Sequence, residues 1–321
     1  MDFLLCAIAV LLLTTLLLWS GTFSANVTPS VFTPQLKSWV WLKWYNFMAS
    51  KYPQRYWTMM NYGFAPLQER GSKGGTAEIE LHESEEWERY SIQMYHHVAA
   101  GTGLARDCDR TGLVAGREVL EVGCGRGGGL AWLARGGGQL GDDAQRPKRA
   151  VGLDFSPVQI EFCRRSHGDA GADGSLSYVE GDALALPFSA GSFDTVLSIE
   201  SSHCYPDFDK FVSEVLRVLR PGGRFLFADF RDAGEECALL ERGLRAPCPA
   251  WCIEHTADIT PHVIAALDLD HDRKVNDCLG LVPVMLRGFV EMFIGTKGSK
   301  TYRNFQQRQW LYHYYVLRKA S

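Results

Sequence analysis

Acidic residues follow three successive apolar runs of the chain, each where a strand would end. Glu121 lies near the end of the first run, Asp154 ends the second, and Asp182 follows the third. Because the carboxyl ends of parallel strands meet at one edge of an open α/β sheet, where ligands bind, we expect these carboxylates to face one cleft. Such a cleft would accept hydrogen bonds from a ligand and attract its positively charged part.

A glycine-rich turn joins the first predicted strand to the helix after it. Residues 121–128 read Glu-Val-Gly-Cys-Gly-Arg-Gly-Gly, and Gly123 and Gly125 would let a ligand approach the backbone at a helix N-terminus. The same turn satisfies G-x-G-x-x-G, a weak pattern alone, which leaves a nicotinamide-dependent oxidoreductase as the alternative. Glu121 disfavours that alternative, because a carboxylate offers nothing to a pyrophosphate and suits a zwitterionic or sulfonium ligand.

The other two acids suit a nucleoside. Asp154 would accept hydrogen bonds from both ribose hydroxyls, a device common to both classes of nucleotide cofactor. Asp182, followed by the small Ala183, suits an adenine amino group and ring nitrogen. Any one of these acids would ordinarily be a solvated loop residue, since charged side chains are mostly exposed. Three of them at successive strand ends favour a shared ligand site.

His203 and Glu200 follow the fourth predicted strand at the same edge. A histidine titrates near neutrality and is the commonest general base, so His203 is predicted to remove a proton from a bound acceptor. The alternative is a histidine that packs against the ligand or caps a helix. Glu200 is predicted to be structural or to contact the ligand.

Strand-like and helical segments alternate along the chain, which predicts an α/β fold with a mostly parallel sheet. The predicted strands are 118–122, 150–154, 176–180, 195–199 and 224–229. The predicted helices are 85–98, 128–134, 157–165 and 208–219. Pro221-Gly222-Gly223 is expected to end the last helix, and the polar stretch Gly136 to Arg149 to form a surface loop.

The composition narrows the function classes. Of the 321 residues 46% are hydrophobic, enough for a sizeable core, and the net charge of −4 argues against nucleic acid as the ligand. Nine cysteines without a regular framework suit reduced thiols in a cytosol-facing domain. Cys248, Cys252 and His255 supply only three candidate ligands, fewer than a structural zinc site needs, so no metal site is predicted.

The N-terminus predicts a membrane anchor. Residues 3–19 carry no charge and only two polar side chains, Thr14 and Thr15, which is near the minimum length of a spanning helix. Asp2 stands where a cleaved signal peptide would carry basic residues. The first charges after the apolar run are basic, which places the rest of the chain in the cytosol. We therefore expect a single-pass protein, with the endoplasmic reticulum as its membrane.

Together the site residues resemble the motif series of class I S-adenosylmethionine-dependent methyltransferases. The motifs are Glu121-x-Gly123-x-Gly125, residues 151–156, 181–188 and 192–194, and Leu-Arg-Pro-Gly-Gly at 219–223. The resemblance implies a Rossmann-like fold, whose seven-stranded, mostly parallel sheet has an antiparallel terminal strand. It implies S-adenosylmethionine as the cofactor, with Glu121 and the two glycines against its methionine part. The remaining predicted cofactor contacts are Asp154, Phe155, Asp182, Ala183 and Glu200.

Residues 198–206 and 225–231 look most similar to the phthiotriolone/phenolphthiotriolone dimycocerosate methyltransferases of mycobacteria, which O-methylate a lipid alcohol. This resemblance implies a small apolar or lipid acceptor, methylated on a hydroxyl. Sterol and tocopherol methyltransferases are similar too, which keeps C-methylation of a sterol- or quinone-like lipid as an alternative. A scaffold protein that retained the fold is disfavoured, because it would not need an intact ligand site.

Three regions follow from this interpretation. Residues 1–22 are the anchor, 23–75 an aromatic interfacial or linker segment, and 76–321 the methyltransferase domain. Residues 39–48 hold three tryptophans, typical of a segment at headgroup depth or of a lid packed on the catalytic domain. Tyr95 and His96 are expected to close over the site. The candidates for the lining of the acceptor pocket, or alternatively for the core of the last helix and strands, are Met285, Phe289, Phe293, Tyr312 and Tyr315.

Overall fold

The computed structural model describes most of the chain after residue 56. The described residues are 42–43, 45–46, 49–51, 57–67, 79–100, 112–138, 141–168 and 173–321, without the side chains of Leu281, Met285, Leu286 and Phe289. The predicted anchor at 3–19 lies outside these ranges. Within them, no helix combines the length and the apolar character that crossing a bilayer requires.

A seven-stranded sheet forms the centre of the fold. Its strands are β1 Glu118–Val122, β2 Arg149–Asp154, β3 Leu176–Glu180, β4 Phe193–Ile199, β5 Leu219–Asp232, β6 Trp251–Asp258 and β7 Trp310–Lys319. Their order is β3-β2-β1-β4-β5-β7-β6. The first four pairings are parallel, and β7 runs antiparallel to both of its neighbours. The predicted mostly parallel sheet with an antiparallel terminal strand is confirmed.

Helices cover both faces of the sheet. They are α1 Arg89–Ala100, α2 Gly128–Ala134, α3 Pro157–His167, α4 Phe208–Val218, α5 Glu235–Arg245, α6 Thr260–Leu269, α7 Val284–Ile294 and α8 Lys300–Gln306. One core contains Leu226 and Ala228 of β5 and packs under α1, α2, α3, α6 and α8. The other contains Phe225 and Phe227 and packs under α4 and α5. This alternation along β5 is the period of two that a strand buried on both faces requires.

Local signals explain where the helices of the sheet edge begin. The Ser156 hydroxyl accepts a hydrogen bond from the backbone N–H of Gln159, and Pro157 occupies the first turn of α3. The Asp207 carboxylate caps α4 in the same way, by accepting from Lys210. These caps place the helix N-termini beside the carboxyl ends of the strands.

The last part of the sheet differs most from the prediction. β5 extends from 219 to 232, beyond the predicted 224–229. Its pairing with β7 continues to Asp232, and at its start Leu219 pairs with Phe193 of β4. β6 and β7 were not predicted as strands. The predicted helix 85–98 begins as a 3-10 turn, Glu83–Glu88, before α1 starts. The described part of the 136–149 insert holds one 3-10 turn, Asp143–Gln145, and is largely exposed, as expected of a surface loop.

Residues 57–67 were assigned to the linker, but they pack into the domain. Phe64 is only 2% exposed and stacks on His97 at 4.1 Å between ring centroids. The backbone N–H of Phe64 donates to the carbonyl of Tyr90, and that of Ala65 to the carbonyl of His262. The packed domain therefore begins before the predicted boundary at residue 76.

Part of the aromatic segment also lies on the domain. Tyr45 makes an edge-to-face contact with Phe293 at 5.9 Å. Asn46 is hydrogen-bonded to the Ser156 hydroxyl that caps α3. For these two residues the structure favours the lid alternative; Trp39, Trp41 and Trp44 lie outside the described residues.

The packing of α2 can be tested by two matched glycine substitutions. A Cβ added at Gly129 would lie 1.9 Å from Cζ of Tyr95, whereas a Cβ at Gly288 in α7 would meet no atom of the described residues within 4 Å. Because alanine favours a helix over glycine by about 1 kcal/mol, Gly288→Ala should maintain or raise the free energy of unfolding. Gly129→Ala should lower it by about 1–3 kcal/mol, the usual cost of overpacking. Urea unfolding measures both, and equal effects would contradict the packing of α2 against Tyr95.

Candidate functional site

Glu121 occupies the centre of the sheet edge. It lies on β1 opposite Gly152 of β2 and Leu197 of β4, and it is fully buried. The Tyr95 hydroxyl donates a 2.5 Å hydrogen bond to its Oε1. The other oxygen, Oε2, is buried with no hydrogen-bond partner among the described residues. Tyr95 thus reaches the site, as expected, whereas the neighbouring His96 packs edge-on against Trp132 at 6.2 Å.

The unpaired oxygen indicates what this position can bind. Burial raises the pKa of Glu121 to about 7, against the lowering effect of the Tyr95 hydrogen bond. A buried carboxylate oxygen without a donor costs free energy until a donor or a cation reaches it. The position therefore fits a positively charged, hydrogen-donating group of a ligand.

The glycine turn bends around this carboxylate. Gly123 and Gly125 have φ values of 79° and 52°, in the left-handed region that favours glycine. A Cβ at Gly123 would lie 2.4 Å from Cβ of Ser201, so a side chain there would clash with the segment after β4. The N–H of Gly125 donates to Oδ2 of Asp154 at 2.9 Å, which ties the turn to the end of β2.

Asp154 stands beside the turn at the end of β2. Its Oδ1 accepts from the N–H of Ser156 at 2.9 Å. Burial raises the pKa of Asp154 to about 6, although backbone N–H donors oppose that shift. Each carboxylate oxygen has two lone pairs, so both can accept a further hydrogen bond from a ligand. Phe155, the next residue, is 57% exposed and therefore has little contact with the rest of the protein.

Asp182 follows β3 beside the same edge of the sheet. β3 ends at Glu180, opposite Asp154, and the N–H of Gly181 donates to the Asp154 carbonyl at 3.0 Å. The exposed Asp182 carboxylate accepts from the N–H of Leu184 at 2.8 Å and so closes its own turn. Ala183 is buried below it, at 6% exposure.

Glu200 holds residues 57–67 against the sheet edge. It follows β4 with a φ of 49°, and its Oε1 accepts from the N–H of Tyr62 at 2.7 Å. Burial raises the pKa of Glu200 to about 8. The sequence predicted a structural role or a ligand contact here, and the observed contact is with the protein backbone.

A second carboxylate, not foreseen from the sequence, holds the other end of the same segment. Glu88 accepts from the N–H groups of Thr58 and Met59 at 2.7 and 2.6 Å, and burial raises its pKa to about 7. The Thr58 carbonyl accepts from the N–H of Gly128, and Arg126 donates to the Trp57 carbonyl at 2.9 Å. Residues 57–62 therefore lie directly over the glycine turn.

His203 pairs with a buried aspartate at the other side of the edge. Its Nδ1 lies 2.9 Å from Oδ1 of Asp229, which is fully buried near the end of β5. The Ser202 hydroxyl and the His203 backbone N–H donate to Oδ2 of Asp229 at 2.7 and 3.1 Å, and Arg231 lies 3.2 Å from the same oxygen. Neither residue was predicted as part of the site: Asp229 ends the predicted strand 224–229, and Arg231 lies beyond it.

This network fixes the charges of its members. Burial by itself would raise the pKa of Asp229, but the positive charges of Arg231 and His203 hold that pKa below its usual range. Burial also favours neutral His203, yet the negative charges of Cys204 and Asp229 raise the pKa of His203 to about 10. This shift favours the imidazolium form, and the role of His203 as a general base stays a prediction.

An aromatic cluster adjoins His203 on one side of the sheet. Phe230 contacts the His203 ring at 4.6 Å between centroids. Around Phe230, at 5.0 to 6.3 Å, lie Tyr62, Phe305, Trp310 and Tyr312.

The predicted pocket residues separate into two groups. Tyr312 lies in this cluster, but Tyr315 packs on Phe227 on the opposite face of the sheet. The side chains of Met285 and Phe289 lie outside the described part of the structure. In the described ranges, no three His, Cys, Asp or Glu side chains are grouped to hold a metal ion, and Cys248 and Cys252 are exposed free thiols.

Known protein sequences are similar to most of this chain. The family described as "Methyltransferase domain" matches residues 120–227. The fatty-acid O-methyltransferase of Mycolicibacterium smegmatis is 37% identical over 262 residues, which cover 82% of this chain and 83% of that protein. The phthiotriol/phenolphthiotriol dimycocerosates methyltransferase of Mycobacterium tuberculosis is 32% identical over 281 residues, 87% of this chain and 92% of that protein.

The fold is also found among solved structures. The geranyl diphosphate C-methyltransferase from Streptomyces coelicolor A3(2), solved with Mg2+, geranyl diphosphate and S-adenosyl-L-homocysteine, superposes with a TM-score of 0.57. The alignment covers 88% of this chain and 98% of that chain at 17% sequence identity. At this identity the likeness establishes a common fold.

The burial of Glu121 predicts a pH-dependent stability of the ligand-free protein. The pKa of Glu121 rises from 4.5 to about 7 on folding. The contribution of Glu121 to the free energy of unfolding is therefore fully favourable below about pH 4.5 and is lost as the pH rises through about 7. Glu121→Gln should therefore unfold with a free energy about 1–3 kcal/mol higher than the wild type at pH 8, and with little difference near pH 5.

Thermal and urea unfolding at the two pH values measure this effect. Glu161→Gln is the matched control, because Glu161 is an exposed residue of α3 paired only with Arg165. It should change stability equally at both pH values. A Glu121→Gln variant less stable than the wild type at pH 8 would contradict the buried, unsatisfied carboxylate.

Proposed function

The chain belongs to the class I S-adenosylmethionine-dependent methyltransferases, and from this we propose that it transfers a methyl group from S-adenosylmethionine to an oxygen atom of a lipid. The observation that carries the proposal is the buried Oε2 of Glu121, unpaired beside the glycine turn. It fits the ammonium group of the cofactor's methionine part, since an ammonium supplies both the charge and the donors that this oxygen lacks. Family membership also decides against the nicotinamide-dependent alternative.

The other residues of the edge are proposed to complete the cofactor site. Gly123 and Gly125 would admit the methionine part next to Glu121, and Asp154 would accept from the ribose hydroxyls. Phe155, exposed at the end of β2, would be covered by the nucleoside. Asp182 and Ala183 would border the adenine, with the Asp182 side chain supporting the turn. Glu200 would act by holding residues 57–62 over the site rather than by direct contact.

The acceptor side is proposed to lie at His203 and its aromatic cluster. When bound, the cofactor supplies an electrophilic methyl group on a sulfonium, which the acceptor oxygen attacks in line. The chain's own task is to align that oxygen and exclude water, and Phe230, Tyr62 and Trp310 provide an apolar surface beside His203. The 37% identity to a protein named as an O-methyltransferase supports oxygen over carbon as the acceptor atom.

Ligand titration tests the cofactor proposal. Isothermal calorimetry of the purified protein should show binding of S-adenosylmethionine or S-adenosylhomocysteine, and none of NAD(H). Loss of a charge-assisted hydrogen bond costs about 1.5–3 kcal/mol, so Glu121→Gln and Asp154→Asn should each weaken binding roughly 10- to 100-fold. The surface variant Glu161→Gln should bind like the wild type. Binding of NAD(H) alone would overturn the proposed function.

We also propose that residues 3–19 anchor the protein in a membrane with the catalytic domain on the cytosolic side. The support is the uncharged run itself, followed by the basic residues Lys37, Lys43, Lys51 and Arg55. An anchored enzyme would meet a lipid acceptor at the surface of the bilayer. The endoplasmic reticulum is the proposed membrane.

Cell fractionation tests the anchor. The full chain should sediment with membranes, resist extraction by alkaline carbonate and dissolve in detergent, because a spanning helix is held by the bilayer core. A chain lacking residues 1–22 should lose carbonate resistance and retain binding of S-adenosylmethionine. Carbonate-extractable full-length protein would refute the spanning segment without touching the methyltransferase assignment.

A further inference from the structure

The two carboxylate oxygens of Glu121 have different surroundings. Oε1 accepts the 2.5 Å hydrogen bond from the Tyr95 hydroxyl, whereas Oε2 is buried without a hydrogen-bond partner among the described residues. The last torsion of a glutamate side chain has a broad energy profile, so an unsupported carboxylate can turn easily. The bond from Tyr95 opposes this rotation and therefore fixes the direction in which Oε2 points.

Gly129 leaves the space that the Tyr95 ring occupies. A Cβ at position 129 would lie 1.9 Å from Cζ of Tyr95, and 2.1 and 2.2 Å from its Cε1 and Cε2. The ring is buried, with only 7% of Tyr95 exposed. Gly129 lies within the helix α2, where alanine is ordinarily favoured over glycine. The glycine at this position is therefore explained by the ring that packs on it.

The helix that carries Tyr95 is held near both of its ends. Near the start of α1, the Tyr90 carbonyl accepts from the backbone N–H of Phe64 at 2.9 Å. Near its end, the Val98 carbonyl accepts from the Tyr314 hydroxyl at 3.1 Å. These contacts tie α1 to the segment before it and to β7. The tyrosine therefore approaches the site from a fixed backbone.

We propose that Tyr95 is a positioning residue for the cofactor, because its hydroxyl holds Glu121 with Oε2 directed at the ammonium group of S-adenosylmethionine. Tyr95 acts through Glu121, and Gly129 acts through Tyr95 by leaving room for its ring. The inference rests on the proposed function and deepens it by naming residues that prepare the cofactor site before the ligand arrives. Such preorganisation favours binding, because the ligand does not have to order the carboxylate itself.

Tyr95 also favours the charge that an ammonium ligand requires. Burial raises the pKa of Tyr95 well above its ordinary value, so its hydroxyl remains a neutral donor. A hydrogen bond donated to a carboxylate favours the ionised form of that carboxylate. Burial raises the pKa of Glu121 to about 7, and the bond from Tyr95 opposes this rise. Without that bond, a larger share of Glu121 would be protonated at neutral pH.

Three further titratable groups act on Glu121: Asp154 at the end of β2, Cys124 in the glycine turn and Tyr178 on β3. A hydrogen bond with a neighbouring thiol and burial raise the pKa of Cys124 well above its ordinary value, and burial does the same for Tyr178. Both groups are therefore neutral near pH 7. Asp154 is the one anion among the three, and its charge raises the pKa of Glu121. Asp154 and Tyr95 thus act on Glu121 in opposite directions.

The positioning role predicts how cofactor affinity depends on pH. An ammonium group binds the ionised carboxylate, so the affinity of the wild type should increase as the pH rises through about 7, the pKa of Glu121. In Tyr95→Phe the same increase should occur at a higher pH, because the hydrogen bond that lowers the pKa of Glu121 is removed. The ligand ionises identically with both proteins, so the ratio of their dissociation constants reports the protein alone. A merely structural role would give one ratio at every pH.

Calorimetry of the full chain in detergent micelles measures this ratio. S-adenosylhomocysteine, which carries the same ammonium group as the cofactor, is titrated into wild type and Tyr95→Phe at pH 6 and pH 9. We expect the Kd of Tyr95→Phe to be about tenfold higher than that of the wild type at pH 6 and within about threefold at pH 9, where Glu121 is mostly ionised in both proteins. Tyr178→Phe is the matched control, since the Tyr178 hydroxyl donates to the Gly127 carbonyl at 2.8 Å. Its ratio to the wild type should not change with pH.

The outcomes separate the inference from the proposed function. A wild type that binds S-adenosylhomocysteine, together with a Tyr95→Phe ratio that is the same at both pH values, overturns the positioning role and leaves the proposed function standing. A wild type that binds no S-adenosylhomocysteine at either pH removes both.

Two further variants test the route from Gly129 through Tyr95 to Glu121. In a Glu121→Gln background, the effect of Tyr95→Phe should no longer depend on pH, because the titrating carboxylate is gone. Gly129→Ala should displace the ring and weaken binding at pH 6, whereas Gly288→Ala should bind like the wild type. Cooperative thermal unfolding verifies that each variant is folded. A pH-dependent ratio that persists in the Glu121→Gln background, or wild-type affinity at pH 6 in a folded Gly129→Ala variant, overturns the proposal.

Discussion

The site depends on a carboxylate that the fold buries without satisfying. Glu121 lies in the middle of the sheet, where β2 and β4 flank β1 and Tyr95 closes over one of its oxygens. Desolvation there raises its pKa to about 7. No described residue compensates the second oxygen, so the free energy of this position favours a cationic ligand. The glycine turn and residues 57–62 lie around this carboxylate.

The carboxylates on the two sides of the sheet edge have opposite pKa shifts. Burial raises the pKa of Glu121, Asp154 and Glu200, which leaves these groups short of positive charge. Asp229 is equally buried, yet Arg231 and His203 keep its pKa below the usual range. Asp229 shows that this fold can pair a buried carboxylate with positive charge. The buried carboxylates that it leaves without such charge lie where a ligand is expected to bind. The cofactor and acceptor halves of the proposed site are thus distinguished by charge.

Local pattern explains the elements that were predicted most closely. β1 at 118–122 and α2 at 128–134 have the predicted bounds, because a short, mainly apolar run and the glycine turn after it are properties of adjacent residues. β6 and β7 were missed because they form by pairing with each other and with β5, far away in sequence. Residues 57–67 were taken for a linker because nothing local shows that Phe64 stacks between His97 and His262.

The order of acids and glycines along the chain was enough to identify the fold class, the methyltransferase family and the sheet edge that carries Glu121, Asp154 and Asp182. Those conclusions depend on the spacing of residues along the chain, which can be read from the sequence. The surroundings of His203 cannot be read from the sequence, because Asp229, which lies at its Nδ1, approaches through the pairing of β4 with β5. Desolvation and proximity act through space. They exist only once the chain is folded, and they set the charge that each buried side chain carries.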